Sequence, residues 1–463
     1  MSVTAPGTRG PTPDGWKGLL ALLSLSLCGL LWWNGLQQSL ERPSVNDTLT
    51  IRQLELAVQA GSALPGSLAE GLGEGDPRAA LARELRKAVD AEAGPPVPER
   101  ALELALLEEP TAAAGRLADL APQVPPDQRA LITALRRSVR PAAAPAEVDR
   151  LLAPWPLSPL ARQLACERLA GDPSGCTLPG AGRSALLRWL AVSLGPLLLL
   201  VLGVGLLVVT VWRRWRGTAP AVPPLRAPPL SLADVAILIA GGFVVVGEGI
   251  LPWLLFPAVQ SVLAPLAQRP ALARSLEVLL LYGGVMGVTL LLLWLMLRPA
   301  GTAPAAGWLQ WRWRPIRSGV TLALAHVLMV LPLVTLGGWL IEQIWNDPSG
   351  SNPLLDLVLT TGDPLALAAL VLTATVLAPV FEETLFRGVL LPVLGRRLGG
   401  GWAVLLSALA FGLAHGSLSE LAPLALLGLA LGWLRLGWGR LAPCVLMHAF
   451  WNGITFVNLL LLS

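Results

Sequence analysis

Residues 278–297 read VLLLYGGVMGVTLLLLWLML, twenty residues from Val278 to Leu297 without one Asp, Glu, Lys or Arg. At about 1.5 Å per residue a helix of this length covers roughly 30 Å, the thickness of the hydrocarbon core of a bilayer. A second uncharged run extends from Gly195 to Trp212. The composition agrees, since 54% of the 463 residues are hydrophobic and only 14% are charged, where soluble proteins carry about 25% charged residues. An ordinary water-soluble enzyme is excluded. The formal net charge of +4 does not point to nucleic acid, because the arginines stand in short clusters beside apolar runs, where they set topology. The four cysteines show no C-x-x-C spacing, so neither a zinc ribbon nor a redox motif is present.

Outward from this run, further apolar segments lie at about Leu186 to Val211, Leu232 to Pro257, Leu276 to Leu297, Gly319 to Ile341, Leu365 to Leu391, Trp402 to His415, Leu421 to Leu434 and Ala442 to Leu462. Ahead of them, Gly18 to Leu36 contains Trp32, Trp33 and Asn34, which suit a membrane interface, and lacks a small-residue cleavage site. It reads as an uncleaved anchor. The fold class is therefore all-α, a polytopic membrane protein with about nine transmembrane helices. Arg213, Arg214, Arg216 and Arg226, then Arg298, Arg312, Arg314 and Arg317, then Arg396 and Arg397, then Arg435 and Arg440 fall in alternate loops. The positive-inside rule places those loops and the N-terminus in the cytoplasm; with only Lys17 and Lys87 as lysines and an exported domain, the chain looks bacterial, so the expected site is the bacterial plasma membrane. The opposite connection from Glu342 to Asp363 has no Arg or Lys and holds Glu342, Asp347, Asp356 and Asp363. The Trp-Arg clusters Trp212 to Arg216 and Trp308 to Arg314 read as interface belts with snorkelling cations.

Between Gln37 and Arg183 the character changes, for 19 of the 30 acidic and 16 of the 34 basic residues lie there. The segment reads as a small helical extracytoplasmic domain between the first and second spans. Pro77 to Ala91, Pro98 to Glu108, Gln128 to Arg140 and Ala146 to Leu152 place apolar residues at helical spacing and are parted by Pro-rich joints. Outside the cytoplasm a Cys166–Cys176 disulfide is chemically permitted. The chain divides into a cytoplasmic N-terminus with the first anchor (1–36), the extracytoplasmic domain (37–183), membrane helices of unassigned role (184–318) and a segment, 319–463, that holds the polar residues described next.

Ionised side chains in hydrocarbon cost about 3 kcal/mol even on lenient insertion scales, so they are functional candidates. Glu382, Glu383 and Arg387 interrupt the apolar run Leu365 to Leu391. Glu383 and Arg387 are four residues apart with the acid first, so they share a helix face and neutralise each other. Glu382 points about 100° away and has no obligatory partner. Pro379, just ahead, removes a backbone hydrogen bond to Thr375 and predicts a kink. Phe411 and His415 end one short span, while His448 and Asn452 lie one turn apart near the start of the last. Chemically these form a hydrolytic set: a carboxylate to activate water, imidazoles to orient it and shuttle protons, and an amide to donate to an oxyanion.

Three ordered motifs, Glu382-Glu383-x-x-x-Arg387, Phe411-x-x-x-His415 and His448-x-x-x-Asn452, resemble the CPBP family of intramembrane glutamic proteases, also called the type II CAAX prenyl endopeptidase or Abi family. The resemblance covers about residues 320 to 463. It implies a helical membrane fold with a site open to the cytoplasm, Glu382 activating water with His415, and His448 and Asn452 binding the oxyanion. Glu383, Arg387 and Phe411 would be supporting residues. No cofactor is expected, although a glutamate, two histidines and an asparagine could also serve as zinc ligands. The absence of H-E-x-x-H favours metal-free chemistry.

Two readings compete with the protease: a non-catalytic membrane protein that binds a peptide in an immunity or scaffold role, and a proton-coupled transporter using Glu248, Glu382 and the histidines. The transporter expects a repeated half, and no second acid motif exists. His326, Glu420 and Asn458 read as structural, and the role of Glu248 is open. Bacteria generally do not prenylate proteins, so the expected substrate is a membrane-associated protein or peptide rather than a C-a-a-X terminus. The partners are then this substrate and the lipid bilayer, with a possible extracytoplasmic partner for 37–183.

Overall fold

A computed structural model describes residues 15–41, 45–61, 63, 76–91, 97–137, 143–170, 176, 180–218, 223–344 and 353–463. Asp347, in the acidic connection, lies outside the described residues. The regular structure among them is helical. The chain divides into two compact units, a polar one of Val45–Pro196 with Leu461–Ser463 and an apolar one of Met1–Ser44 with Leu197–Leu460.

Helix α1 (Gly15–Leu40) belongs to the apolar unit. The polar unit then forms α2 (Val45–Gly61), α3 (Pro77–Ala91), α4 (Pro98–Leu107), α5 (Pro110–Leu120), α6 (Arg129–Arg136), α7 (Pro145–Leu152) and α8 (Pro159–Ala170). Five of these begin on proline, whose missing N–H is wanted by no carbonyl in a first turn and whose fixed φ suits helix entry. The Pro-rich joints of the sequence are therefore helix starts. Leu81 and Leu85, one turn apart on α3, are fully buried together with Leu102, Leu131 and Leu160. Cys166 is disulfide-bonded to Cys176.

Two carboxylates in this unit are set against each other by their surroundings. Glu108 is desolvated, yet Arg116 and Arg86 donate to it at 3.0 Å each and hold it below the usual carboxylate range. Glu103 is desolvated beside the negative charge of Glu55, and burial pushes it up to about 8. An acid whose folded value is raised prefers to fold protonated, so its contribution to stability is lost as pH rises from the unfolded value towards the folded one. Hydrogen exchange of α4 and α8 amides in the full chain should accelerate between pH 5 and pH 8. Glu103→Gln should flatten that dependence and slow exchange at pH 8, by a free energy on the order of a few kcal/mol; an unchanged pH dependence would contradict this account.

Helix α9 (Ala181–Trp215) carries the chain into the apolar unit, followed by α10 (Leu232–Leu266), α11 (Pro270–Leu297), α12 (Ile316–Ile344), α13 (Pro353–Thr360), α14 (Pro364–Leu398), α15 (Gly400–Leu413), α16 (Leu418–Trp438) and α17 (Ala442–Leu462). Among the described residues eight helices, α1, α9, α10, α11, α12, α14, α16 and α17, are long and apolar enough to cross a membrane. The ninth expected span corresponds to α15, whose 14 residues reach only about 21 Å. It packs instead as one arm of a hairpin with α16. A Cβ on Gly428 would lie 2.9 Å from Ala408 Cα, so the absence of a side chain there permits the close approach.

Helix α14 departs from regular geometry on both sides of its acids. Residues Thr373–Leu377 and Thr384–Leu390 are π-helical, flanking the α-helical turn Ala378–Glu383. At Pro379, where a kink is expected, the widened i→i+5 turn ahead of it accommodates the missing donor, and the helix continues to Leu398. Its start is fixed by Asp363, which caps Leu365 N at 3.0 Å and is gripped by Arg269 at 2.7 to 3.1 Å.

Candidate functional site

The site is assembled within the apolar unit from α10, α11, α14, α15 and α17. Glu383, which ends the α-helical turn of α14, and Arg387, in the π-helical turn that follows, are fully buried and paired, with Arg387 Nη1 donating to Glu383 Oε1 at 2.8 Å. The same Oε1 lies 3.0 Å from His448 Nδ1 on α17. Arg387 Nη2 donates to Gly428 O at 3.1 Å, and its guanidinium stands 4.3 Å from the centre of the Phe411 ring. Phe411 in turn meets His415 and His448 edge-on, at 5.0 and 5.6 Å between ring centres. One buried ion pair and one aromatic ring thus set the orientation of both imidazoles.

Glu382 points to the other side. Its Oε2 is 3.9 Å from Nε2 of His415 and 3.9 Å from Nε2 of His448, and receives no hydrogen bond among the described residues. His415 Nδ1 lies 2.8 Å from Phe411 O. A carbonyl only accepts, so Nδ1 carries a proton and Nε2 is the nitrogen turned towards Glu382. Asn452 donates to Ala374 O at 2.7 Å, which fixes the amide and leaves its second N–H. These groups line a cavity of about 1170 Å³ whose other walls are mainly apolar.

Counting residues from helix ends predicts that His415 is deeper than Glu382 and His448, yet the three converge. The first reason is that α14 runs to Leu398 rather than Leu391: Glu382 lies 16 residues from that end and His415 lies 15 from Gly400, about 24 and 22 Å. The second is that α17 starts inside the protein. Leu441 and Ala442 are buried, and Leu441 N donates to Gln310 O at 3.2 Å, so counting from Ala442 understates the depth of His448.

Three features escaped the sequence reading. Glu382 does have a partner, because Tyr282 on α11 donates to its Oε1 at 3.0 Å. Tyr282 is the only tyrosine in the chain, and a lone phenol inside an uncharged run was the available signal. Glu248, left open, lines the same cavity, as do Glu420, read as structural, and Cys28. Trp32, read as an interface residue, also donates to Leu413 O at 2.8 Å in the cavity wall. His326 binds only its own helix carbonyl Leu322 O among the bonds seen, at 2.9 Å, and stands apart from the site.

Residues 364–454 match the family model described as type II CAAX prenyl endopeptidase Rce1-like. Residues 364–454 are a CPBP-family domain. The domain thus spans α14 to most of α17 and contains all three motifs, while Tyr282 and Glu248 lie outside the matched segment. The family is one of intramembrane proteases. A second family model, a domain of unknown function (DUF8675), matches residues 46–187. No curated protein and no solved structure matches the chain.

Removing one partner of a buried ion pair costs about 3 to 5 kcal/mol, because the other charge is stranded. Arg387→Met should therefore lower the thermal unfolding midpoint in detergent sharply. Arg387→Lys should fall between, since an ammonium lacks the planar fork that meets both Glu383 and Gly428 O. A midpoint for Arg387→Met equal to wild type would show that the pair contributes no net stability.

Proposed function

We propose that the protein is a bacterial intramembrane endopeptidase that hydrolyses a peptide bond in a membrane-associated protein or peptide, with Glu382 as the general base. The reading is carried by the position of Glu382 Oε2, unbonded and equidistant from two imidazole nitrogens in a cavity within the helices. With His415 neutral and His448 protonated, the facing acceptors are Glu382 Oε2 and His415 Nε2, a pair that a water molecule with two O–H groups can satisfy. Glu382 takes a proton from that water with the help of His415, and the hydroxide attacks the peptide carbonyl.

His448 can donate to the resulting oxyanion only if Nε2 carries a proton. Glu383 is placed for this, since its Oε1 lies 3.0 Å from Nδ1 and would face the imidazolium as counter-charge. Glu382, Glu383, Arg387 and a protonated His448 sum to zero charge, which a low-dielectric site favours. The free N–H of Asn452 supplies the second donor. No cofactor enters this scheme.

The orientation proposed is a cytoplasmic N-terminus with the polar unit outside, in the plasma membrane. Alternate Arg-rich loops support it, as does the Cys166–Cys176 disulfide, which requires an oxidising compartment.

Cleavage of a broad peptide panel by purified protein in liposomes tests the reading. Glu382→Gln should lower turnover at least about 100-fold, His448→Ala should abolish it, and a strong chelator should leave wild type unaffected. Undiminished cleavage by Glu382→Gln would remove the assigned base, and loss with chelator reversed by zinc would make these residues metal ligands.

A further inference from the structure

Glu382 has two oxygens, and only one can be the base. We propose that Tyr282 is the positioning residue that decides which: its hydroxyl holds Oε1, and Oε2 is thereby left to take the proton from water between His415 and His448. This rests on the protease reading above and assigns to it a residue 82 positions ahead of the matched segment, since 364 minus 282 is 82.

The argument starts from the cost of a hydroxyl where Tyr282 lies. Helix α11 is uncharged from Val278 to Leu297, and a phenylalanine would serve its apolar packing as well. Burying an unpartnered hydroxyl costs roughly 1 to 3 kcal/mol. Among the bonds seen, that of Tyr282 goes to Glu382 Oε1, at 3.0 Å. Its ring is not free to swing, because it meets Phe381 edge-on at 6.2 Å and 82°, and Phe381 meets Phe243 of α10 at 5.1 Å and 75°. The hydroxyl is thus delivered by three interlocked rings from α10, α11 and α14.

The remaining charged and titratable groups around Glu382 are not equivalent to Tyr282. His415 on α15 and His448 on α17 both face Oε2 at 3.9 Å. Glu383 and Arg387, on its own helix, are engaged with each other. Glu248 on α10 lines the cavity with a like charge and offers no donor when ionised. Tyr282 is the group that donates to Oε1, so it fixes the carboxylate plane. A carboxylate free to rotate about its last bond would exchange its two oxygens and lose the near-attack arrangement of the base and its water.

The sole tyrosine makes the idea testable with and without turnover. Tyr282→Phe deletes one hydroxyl and keeps the ring packing. It should lower kcat about 10- to 100-fold while KM stays within about twofold, because the phenol touches the base rather than the substrate. Biosynthetic replacement of tyrosine by 3-fluorotyrosine gives a single fluorine resonance from position 282 in the full-length protein. That resonance should move in Glu382→Gln and again in Glu382→Ala, but not in Glu103→Gln, which lies in the polar unit. A Tyr282→Phe enzyme with wild-type kcat, beside an inactive Glu382→Gln, overturns the positioning role and spares the protease. A resonance unmoved by both Glu382 substitutions overturns it as well. Wild type inert across the panel defeats the protease reading, and the positioning role with it.

Discussion

A single oxygen atom, Oε1 of Glu383, carries the arrangement on which the rest of the candidate site depends. It faces Arg387 at 2.8 Å and His448 at 3.0 Å, in a place that water does not reach. A carboxylate buried in a membrane bundle is costly alone, and a buried arginine is equally so. Placed together they become tolerable, and their mutual grip then fixes what surrounds them. Arg387 reaches the backbone of α16 at Gly428 and the face of Phe411, and Phe411 stands against both imidazoles. The pair thereby ties α14, α15, α16 and α17 into one unit.

Around this anchor the backbone is deformed where the chemistry is proposed. π-Helical turns precede and follow the acids on α14, and they change the angular step between residues that an ordinary helix would impose. Adjacent acids separate into two environments: Glu383 into the sealed ion pair, Glu382 into a cavity with one oxygen held and one unbonded. Two neighbouring carboxylates with different surroundings are the usual means by which one becomes structural and the other is free for proton transfer. A second buried arginine, Arg435, donates to Arg387 O at 3.1 Å and to Gln310 Oε1 at 2.8 Å, so the turn at Gln310 also supports α14 from behind.

The CPBP domain is not self-sufficient as a cavity. Walls are contributed by α1, α10 and α11, all outside the matched segment. Lys17 on α1 pairs with Asp234 on α10 at 3.0 Å, while Asp234 and Ser231 form a reciprocal cap at the start of α10. The anchor helix is thus fastened at one end to the helix that carries Glu248, and through Trp32 to the end of α15.

The amino-acid sequence by itself determined the helical membrane class, because uncharged runs near twenty residues long have no other stable setting, and it picked out Glu382, Glu383, Arg387, His415 and His448, because ionisable groups in such runs need a reason, with Asn452 one turn beyond His448. The i,i+4 pairing of Glu383 with Arg387 followed from helical geometry alone. The sequence could not show that α15 stops short of a full crossing, that π turns flank the acids, or that α17 begins below the surface, since each depends on packing against another helix. The partner of Glu382 was hidden for the same reason. Tyr282 lies 100 residues away in the chain, and only the tertiary fold, by setting its ring edge-on against Phe381, brings that hydroxyl to the carboxylate.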